Sequence, residues 1–221
     1  MTENPMPDTP NANPETSPAD PAFWDAKYGD AAFLYGTRPN AFLTGQAWRL
    51  PPSARILMVG DGEGRNGVWL AEQGHRVVSV DFSPRALQKA TRLALDRGVR
   101  LTTICADVTD WDWPEAAYDA AIAIFLHVRP EVRRPVHRCM LHAVRPGGLV
   151  LVESFAPDQL RYGTGGPKDP DMLHPADALA ADFTDADILE LEESVVTLGE
   201  GPGHQGPAAV THLAARRTDK A

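Results

Sequence analysis

Apolar residues recur along this chain in short runs that alternate with stretches of helical spacing. The runs predict five buried strands, at 56–59, 76–80, 100–105, 118–125 and 149–155. The helical stretches predict helices at 66–73, 84–97 and 130–144. Ser83-Pro84 is typical of a helix start, and Gly74 and Gly98 are typical of helix ends. Because strand and helix alternate, the pattern indicates parallel β-α-β units and a doubly wound α/β fold.

The pattern is different before the first strand. Residues 1–21 contain prolines and polar residues but no large apolar residue other than methionine, which predicts a disordered tail. Residues 22–50 are dense in aromatic side chains and predict a helical cover with a helix at 40–49. We expect the core to occupy 51–221.

The pattern changes again after the fifth strand. Residues 157–175 are rich in Gly, Pro and Asp and predict a long loop that is a candidate closing lid. A short helix is predicted at 175–182. Two further strands, at 188–198 and 210–216, are joined by a glycine-rich stretch and bring the predicted sheet to seven strands.

Composition narrows the class of partner. The 30 acidic residues outnumber the 21 basic ones, which argues against a nucleic-acid ligand. The two cysteines are too few for a disulfide scaffold or a thiolate zinc site, so we expect reduced, mostly buried thiols and no metal. The longest uncharged apolar run, 120–126, is far too short for a membrane span, and no signal-peptide pattern is present. We therefore expect a cytoplasmic protein.

The loop after the first strand predicts an adenosine-containing cofactor. Gly60, Gly62 and Gly64 let the backbone approach a ligand at a helix N-terminus. Asp81 ends the second strand, where a carboxylate can accept hydrogen bonds from ribose hydroxyls. These features alone fit both a dinucleotide and S-adenosylmethionine.

The register of the loop and its charge favour S-adenosylmethionine. Gly62, Gly64 and Gly67 match the dinucleotide spacing, but that match starts two residues beyond the predicted strand end. Asp61 and Glu63 would repel a pyrophosphate and would suit the ammonium and sulfonium charges of S-adenosylmethionine.

These segments together resemble a known superfamily. The runs at 56–70, 80–83, 106–108 and 145–148 are similar to those of class I S-adenosylmethionine-dependent methyltransferases. More narrowly, Gly62-x-Gly64-Arg65-Asn66, Trp24-Asp25-x-x-Tyr28 and Tyr35-Gly36-Thr37-x-Pro39 resemble the tellurite-resistance and thiopurine methyltransferase-like branch. The likeness covers about residues 23–216. It implies a three-layer, Rossmann-like, mostly parallel seven-stranded sheet with an antiparallel C-terminal strand.

The resemblance also implies a cofactor site. The glycines would hold the methionine part of the cofactor, Asp81 the ribose, and Asp107 the adenine amino group. The implied cofactor-binding set is Trp24, Tyr28, Tyr35, Gly60, Asp61, Gly62, Gly64, Asn66, Asp81, Phe82, Ser83, Asp107, Val108, Phe125 and Leu126. Many superfamily members carry an acidic residue where this chain has Met58, and Asp61 or Glu63 would supply that carboxylate.

Two histidines are candidate catalytic residues. His204 lies in a Glu-Gly-Pro-Gly-His segment that resembles the Gly-Glu-x-His element of the tellurite-resistance branch; the alternative is an exposed loop histidine. His127 follows the fourth strand, and its alternative role is to cap the sheet edge. Lys168 is one of the cations that could hold an anionic substrate.

The expected reaction is methyl transfer to a small soft nucleophile, either a thiol or a chalcogen oxyanion such as tellurite or selenite. Two alternatives stay open: a non-catalytic protein that binds S-adenosylmethionine or adenosine, and an NAD-dependent oxidoreductase. We expect a small-molecule substrate, no nucleic-acid or membrane partner, and a monomer or homodimer.

Overall fold

Seven strands form one sheet in the computed structural model, which describes residues 21–219. They are β1 (Arg55–Val59), β2 (Arg76–Asp81), β3 (Thr102–Cys105), β4 (Tyr118–Ile124), β5 (Val144–Phe155), β6 (Ala186–Gly199) and β7 (Gln205–Arg217). The helices are α1 (Pro21–Lys27), α2 (Ala41–Gln46), α3 (Arg65–Glu72), α4 (Pro84–Asp96), α5 (Pro130–Ala143) and α6 (Ala176–Asp182). Short 3₁₀ helices cover Ala47–Arg49, Pro157–Arg161 and Pro170–Met172.

The strand order is β3-β2-β1-β4-β5-β7-β6. Neighbouring strands from β3 to β5 are parallel, and β7 is antiparallel to both of its neighbours. The predicted doubly wound α/β sheet of seven mostly parallel strands is confirmed. The direction of chain progression reverses between β1 and β4, so ligands are expected beyond the carboxyl ends of these two strands.

Side chains of the central strands point alternately to two apolar layers. Leu57 and Val59 pack with α5 and α6 on one face. Ile56 and Met58 pack with α2 and α3 on the other. Because both faces are covered by helices, β1 and β4 consist almost entirely of buried residues, as their continuous apolar runs predict.

Three connections differ from the prediction. No helix lies between β3 and β4 within the described chain, so the regular alternation of strand and helix is wrong at 106–117. The fifth strand, predicted at 149–155, begins earlier than expected: β5 starts at Val144, includes residues 145–148 and shifts register against β4 at this point. The glycine-rich stretch before β7 is shorter than predicted, because β7 already begins at Gln205 and pairs with β6 there.

Three further expectations concern the N-terminal tail, the two cysteines and membrane-spanning helices. Apart from Pro21, which begins α1, the predicted tail lies outside the described residues. Cys105 is exposed and Cys139 is partly buried, so the expectation of two mostly buried thiols is wrong. Between residues 21 and 219 no helix has the length and apolar character that a bilayer crossing requires.

Candidate functional site

A cleft of ≈ 770 Å³ lies at the carboxyl ends of the central strands. Thirteen of the fifteen predicted cofactor-binding residues line it, and so do the two candidate catalytic histidines, His127 and His204. Its floor is the loop after β1, and segments from the N-terminal cover and the β6–β7 turn form its sides. The fold therefore brings residues from both ends of the chain to one site.

The loop after β1 has the backbone shape that its glycines predict. Gly60 and Gly62 have φ values of +66° and +57°, which side-chain-bearing residues rarely adopt. A Cβ atom at Gly60 would come within 2.9 Å of Leu126 Cδ1, and one at Gly62 within 3.0 Å of Tyr28 Oη. The loop thus forms a narrow cradle in which backbone atoms border the cleft directly.

Two members of the predicted set do not line the cleft. Gly64 packs against α4, where a Cβ atom would lie 2.6 Å from the Cβ of Ala90. Ser83 is fully buried and caps α4, accepting a hydrogen bond from the backbone N–H of Ala86. Both residues support the walls of the site from outside.

Asp81 and Asp107 both line the cleft and carry carboxylate oxygens that can accept further hydrogen bonds. Asp81 accepts hydrogen bonds from the backbone N–H groups of Gly62 (2.8 Å) and Ser83 (2.9 Å), one on each oxygen. A carboxylate has about four acceptor sites, so Asp81 keeps capacity for a hydroxyl donor. The Oδ1 atom of Asp107 accepts from the backbone and hydroxyl of Thr109, and its Oδ2 atom has no partner within residues 21–219. These features of the structure fit the ribose and adenine of S-adenosylmethionine.

Comparison with known proteins finds a family match for the segment that contains this cradle. Residues 56–148 match a methyltransferase domain family. The match covers β1 to the start of β5 and contains Gly60, Gly62, Asp81 and Asp107. The match supports the conclusions that the protein is an enzyme and that S-adenosylmethionine is its cofactor.

Individual relatives extend the likeness without fixing the acceptor. A 2-heptyl-1-hydroxyquinolin-4(1H)-one methyltransferase from Mycobacteroides abscessus is 30% identical over 54% of this chain, which spans about half (52%) of that relative. A structure solved in work on the conversion of a disulfide bond into a thioacetal group during echinomycin biosynthesis has a TM-score of 0.74 at 22% identity, with 90% and 91% of the two chains covered. TehB from Haemophilus influenzae has a TM-score of 0.67 at 19% identity, with 89% of this chain and 66% of that chain covered. Both structures share the fold.

The acidic residues of the glycine loop line the cleft, but their carboxyl oxygens are engaged within the protein. Asp61 accepts from the Ser79 hydroxyl (2.6 Å) and from the backbone of Gly67 (3.3 Å), and burial raises the pKa of its carboxyl to about 7. Glu63 accepts from the backbone N–H groups of Leu34 (2.8 Å) and Tyr35 (3.3 Å). Neither carboxylate is therefore free to replace the acidic residue that the resemblance leads us to expect at position 58, where this chain has Met58.

The N-terminal cover is fixed to the domain through Glu63 and α4. Lys89 forms an ion pair with Glu63 and donates to the backbone oxygens of Asp30 (2.9 Å) and Ala32 (2.6 Å). This arrangement places Trp24, Tyr28 and Tyr35 along one side of the cleft. Burial raises the pKa of Tyr35 to about 12 and that of Tyr28 well above its ordinary value, so both phenols stay protonated.

The two candidate histidines differ in what their ring nitrogens do. In His127, Nδ1 lies 3.0 Å from the backbone oxygen of Phe125, and Nε2 accepts from the backbone N–H of Phe155 (3.1 Å). Burial lowers the pKa of His127 to about 4. The imidazole is neutral with both nitrogens occupied, which favours its alternative role as a cap on the sheet edge.

His204 is not an exposed loop histidine, because only 5% of it is exposed. Its ring packs against those of Tyr35, Phe125 and Phe155, with centroid distances of 4.4, 4.8 and 5.5 Å. Its Nδ1 atom lies 3.2 Å from Oε2 of Glu200. His204 therefore presents one ring edge at the aromatic end of the cleft.

Sequence reasoning missed Arg65 and gave no role to Glu200. Arg65 lines the cleft, is 7% exposed and forms a buried ion pair with Glu200 at 2.8 Å. One signal was present in the sequence: Arg65 begins a helix, where a positive charge opposes the helix dipole. A cation at such a position indicates a specific anionic partner, but the partner is 135 residues away and cannot be identified from sequence.

Proposed function

We propose that this protein transfers a methyl group from S-adenosylmethionine to a small acceptor, foremost a thiol. The observation that carries this proposal is a single cleft that joins the glycine cradle and Asp81 to an aromatic end containing His204. The methyltransferase-domain match over 56–148 supports the donor.

The donor end supplies binding and orientation. Gly60 and Gly62 would face the amino-acid part of the cofactor, Asp81 would hold the ribose hydroxyls, and Asp107 the adenine amino group. When bound, the cofactor supplies an activated methyl group and carries the difficult chemistry itself. What remains for the protein is to align donor and acceptor and to exclude water, which contributes up to roughly 7–11 kcal/mol in favourable cases.

The acceptor end is aromatic around His204. Phe125 and Phe155 pack against the His204 ring, and Val132 and Met172 also line the cleft. Apolar and aromatic walls favour a soft, poorly hydrated nucleophile over a strongly hydrated oxyanion. The resemblance of the sequence to the tellurite-resistance branch motivates tellurite and selenite as competing acceptors; Lys168 lines the cleft and would be their first contact.

Calorimetric titration of the purified chain with S-adenosylhomocysteine tests the donor, with NAD as the comparison ligand. We expect binding of the former only. The absence of heat at ~1 mM S-adenosylhomocysteine, which corresponds to a binding free energy weaker than about −4 kcal/mol, would refute the cofactor assignment. Binding of NAD instead would favour the oxidoreductase alternative.

A methyl-transfer screen with aryl thiols, alkyl thiols, selenite and tellurite tests the acceptor. We expect turnover of thiols. Cofactor binding without turnover of any acceptor would favour a non-catalytic binding protein, and turnover of the oxyanions alone would refute the thiol proposal.

A further inference from the structure

The ring of His204 is held by groups from distant parts of the chain. Glu200, 8% exposed, contacts its Nδ1 atom and also pairs with Arg65. The side-chain amide of Asn40, itself 1% exposed, donates to the other Glu200 oxygen at 3.0 Å. Every oxygen of this buried carboxylate therefore has a donor, and the carboxylate cannot rotate away from the histidine.

The charge on Glu200 fixes the tautomer of His204. Burial opposes ionisation of Glu200, but hydrogen bonds from His204 and Arg65 outweigh it and lower its pKa to about 2. An ionised carboxylate only accepts hydrogen bonds, so the Nδ1 atom of His204 must carry a proton. When the ring carries a single proton, its Nε2 atom is therefore an unprotonated acceptor. Because Arg65 already balances the charge of Glu200, the pair does not require an imidazolium.

The Nε2 edge of His204 is left open. No hydrogen-bond partner for Nε2 exists among residues 21–219, and the residue lines the cleft. The neighbouring residue on that edge is Gly165, where a Cβ atom would lie 2.9 Å from Cδ2 and 3.3 Å from Nε2 of His204. A glycine at position 165 thus keeps the acceptor nitrogen uncovered.

We propose that His204 is a general base, that Glu200 is its positioning residue, and that the acceptor is a molecule whose nucleophile carries a proton at neutral pH. This inference rests on the proposed function. The acceptor S–H or O–H bond breaks as the nucleophile bonds to the methyl carbon. The methyl–sulfonium bond breaks with its electron pair on sulfur, and the proton passes to Nε2 and then to solvent. An acceptor that is already an anion, such as tellurite, would not need this arrangement.

The tautomer can be measured without turnover. Long-range ¹⁵N–¹H correlation spectra of the full chain should show His204 protonated at Nδ1 and bare at Nε2 at pH 7.5. Glu200→Gln should abolish that preference, and Glu200→Asp should partly restore it. A wild-type ring protonated at Nε2, or a preference unchanged in Glu200→Gln, would overturn the proposal.

Two thiols of different acidity then separate a base from a packing residue. At pH 7, 4-nitrobenzenethiol is a thiolate, whereas 2-phenylethanethiol keeps its proton. His204→Asn should lower kcat/KM at least ~100-fold for the protonated thiol and under ~3-fold for the thiolate, since general-base catalysis contributes about 10²–10⁴-fold. An equal loss of kcat/KM for both thiols would refute the role of His204 as a general base.

His212 provides the matched control. Its Nε2 atom lies 3.0 Å from a buried carboxylate oxygen of Glu153, and it does not line the cleft. His212→Asn should change kcat/KM by the same factor for both thiols. If the wild-type protein binds no S-adenosylhomocysteine, the proposed function is refuted. If the wild-type protein methylates both thiols and His204→Asn lowers kcat/KM equally for the two, only the general-base proposal is refuted.

Discussion

The two ends of the cleft are built in different ways. At the donor end, the key hydrogen bond joins Gly62 to Asp81, 19 residues apart, in one β-α-β unit. At the acceptor end, Glu200 bonds to Arg65 and Asn40, which lie 135 and 160 residues away. The donor end is thus a local structure on a parallel sheet, and the acceptor end exists only when the whole chain is folded. Substitutions should affect the two ends separately.

The largest expected effect is on the acceptor end. Gly201 has φ +69°, and a Cβ atom there would lie 2.6 Å from the carbonyl carbon of Tyr35 and 2.7 Å from the backbone oxygen of Leu34. Gly201→Ala should therefore lower the free energy of unfolding by about 3 kcal/mol or more, combining backbone strain with overpacking. Urea denaturation measures this loss.

Gly98→Ala is the matched control for Gly201→Ala. Gly98 has nearly the same φ, +68°, but nothing lies within 4 Å of its added Cβ. Its substitution should cost about 1 kcal/mol from backbone conformation alone. If both variants lost the same stability, the β6–β7 turn would not be docked on the N-terminal cover as described.

The next effect tests the donor end. Asp81→Asn replaces one acceptor oxygen with an N–H donor opposite a backbone N–H group, so the loop and the ribose contacts are both disturbed. We expect affinity for S-adenosylhomocysteine to fall about 100-fold, close to 2.7 kcal/mol, in calorimetry. The exposed Asp112→Asn should leave affinity unchanged. Wild-type affinity in Asp81→Asn would refute the ribose assignment.

This contrast also explains which part of the site could be predicted from the sequence. Gly60, Gly62 and Asp81 lie at the ends of predicted strands, and position relative to a parallel strand is a local property that sequence reveals. The family match over 56–148 covers the same local part.

The acceptor end resisted prediction for a physical reason. The burial of His204 depends on the contact of its turn with residues 34–36, and the roles of Arg65 and Glu200 depend on their meeting across the molecule. Long-range pairing of single charges leaves no periodic trace in the sequence. The loop glycines at 201 and 203 signalled a turn, but not the segment docked against it.

The smallest expected effect distinguishes the two ends by pH. His174, behind the acceptor end, is fully buried beside His127 and His137, and neither of its ring nitrogens has a partner within the described chain. Burial is the main cause that lowers the pKa of His174 to about 2, and neighbouring His127, His137 and Arg133 act in the same direction. Below pH ~6.5 the unfolded chain binds a proton at this site that the folded chain does not, so stability falls on acidification.

For Asp61, beneath the donor end, acidification changes the free energy of unfolding in the opposite direction. Its pKa is raised to about 7, so between about pH 4 and 7 the folded chain holds a proton that the unfolded chain has lost. Each group changes the free energy of unfolding by about 1 kcal/mol between pH 6.5 and 5.5, in opposite directions. Relative to wild type, His174→Leu should therefore make the protein more acid-tolerant over this interval, and Asp61→Asn less so. Urea denaturation at the two pH values measures both, with the exposed His142→Gln as control. Shifts of the same sign in the two variants would contradict this division, because only opposite shifts follow from a neutral buried imidazole at one end and a partly protonated carboxyl at the other.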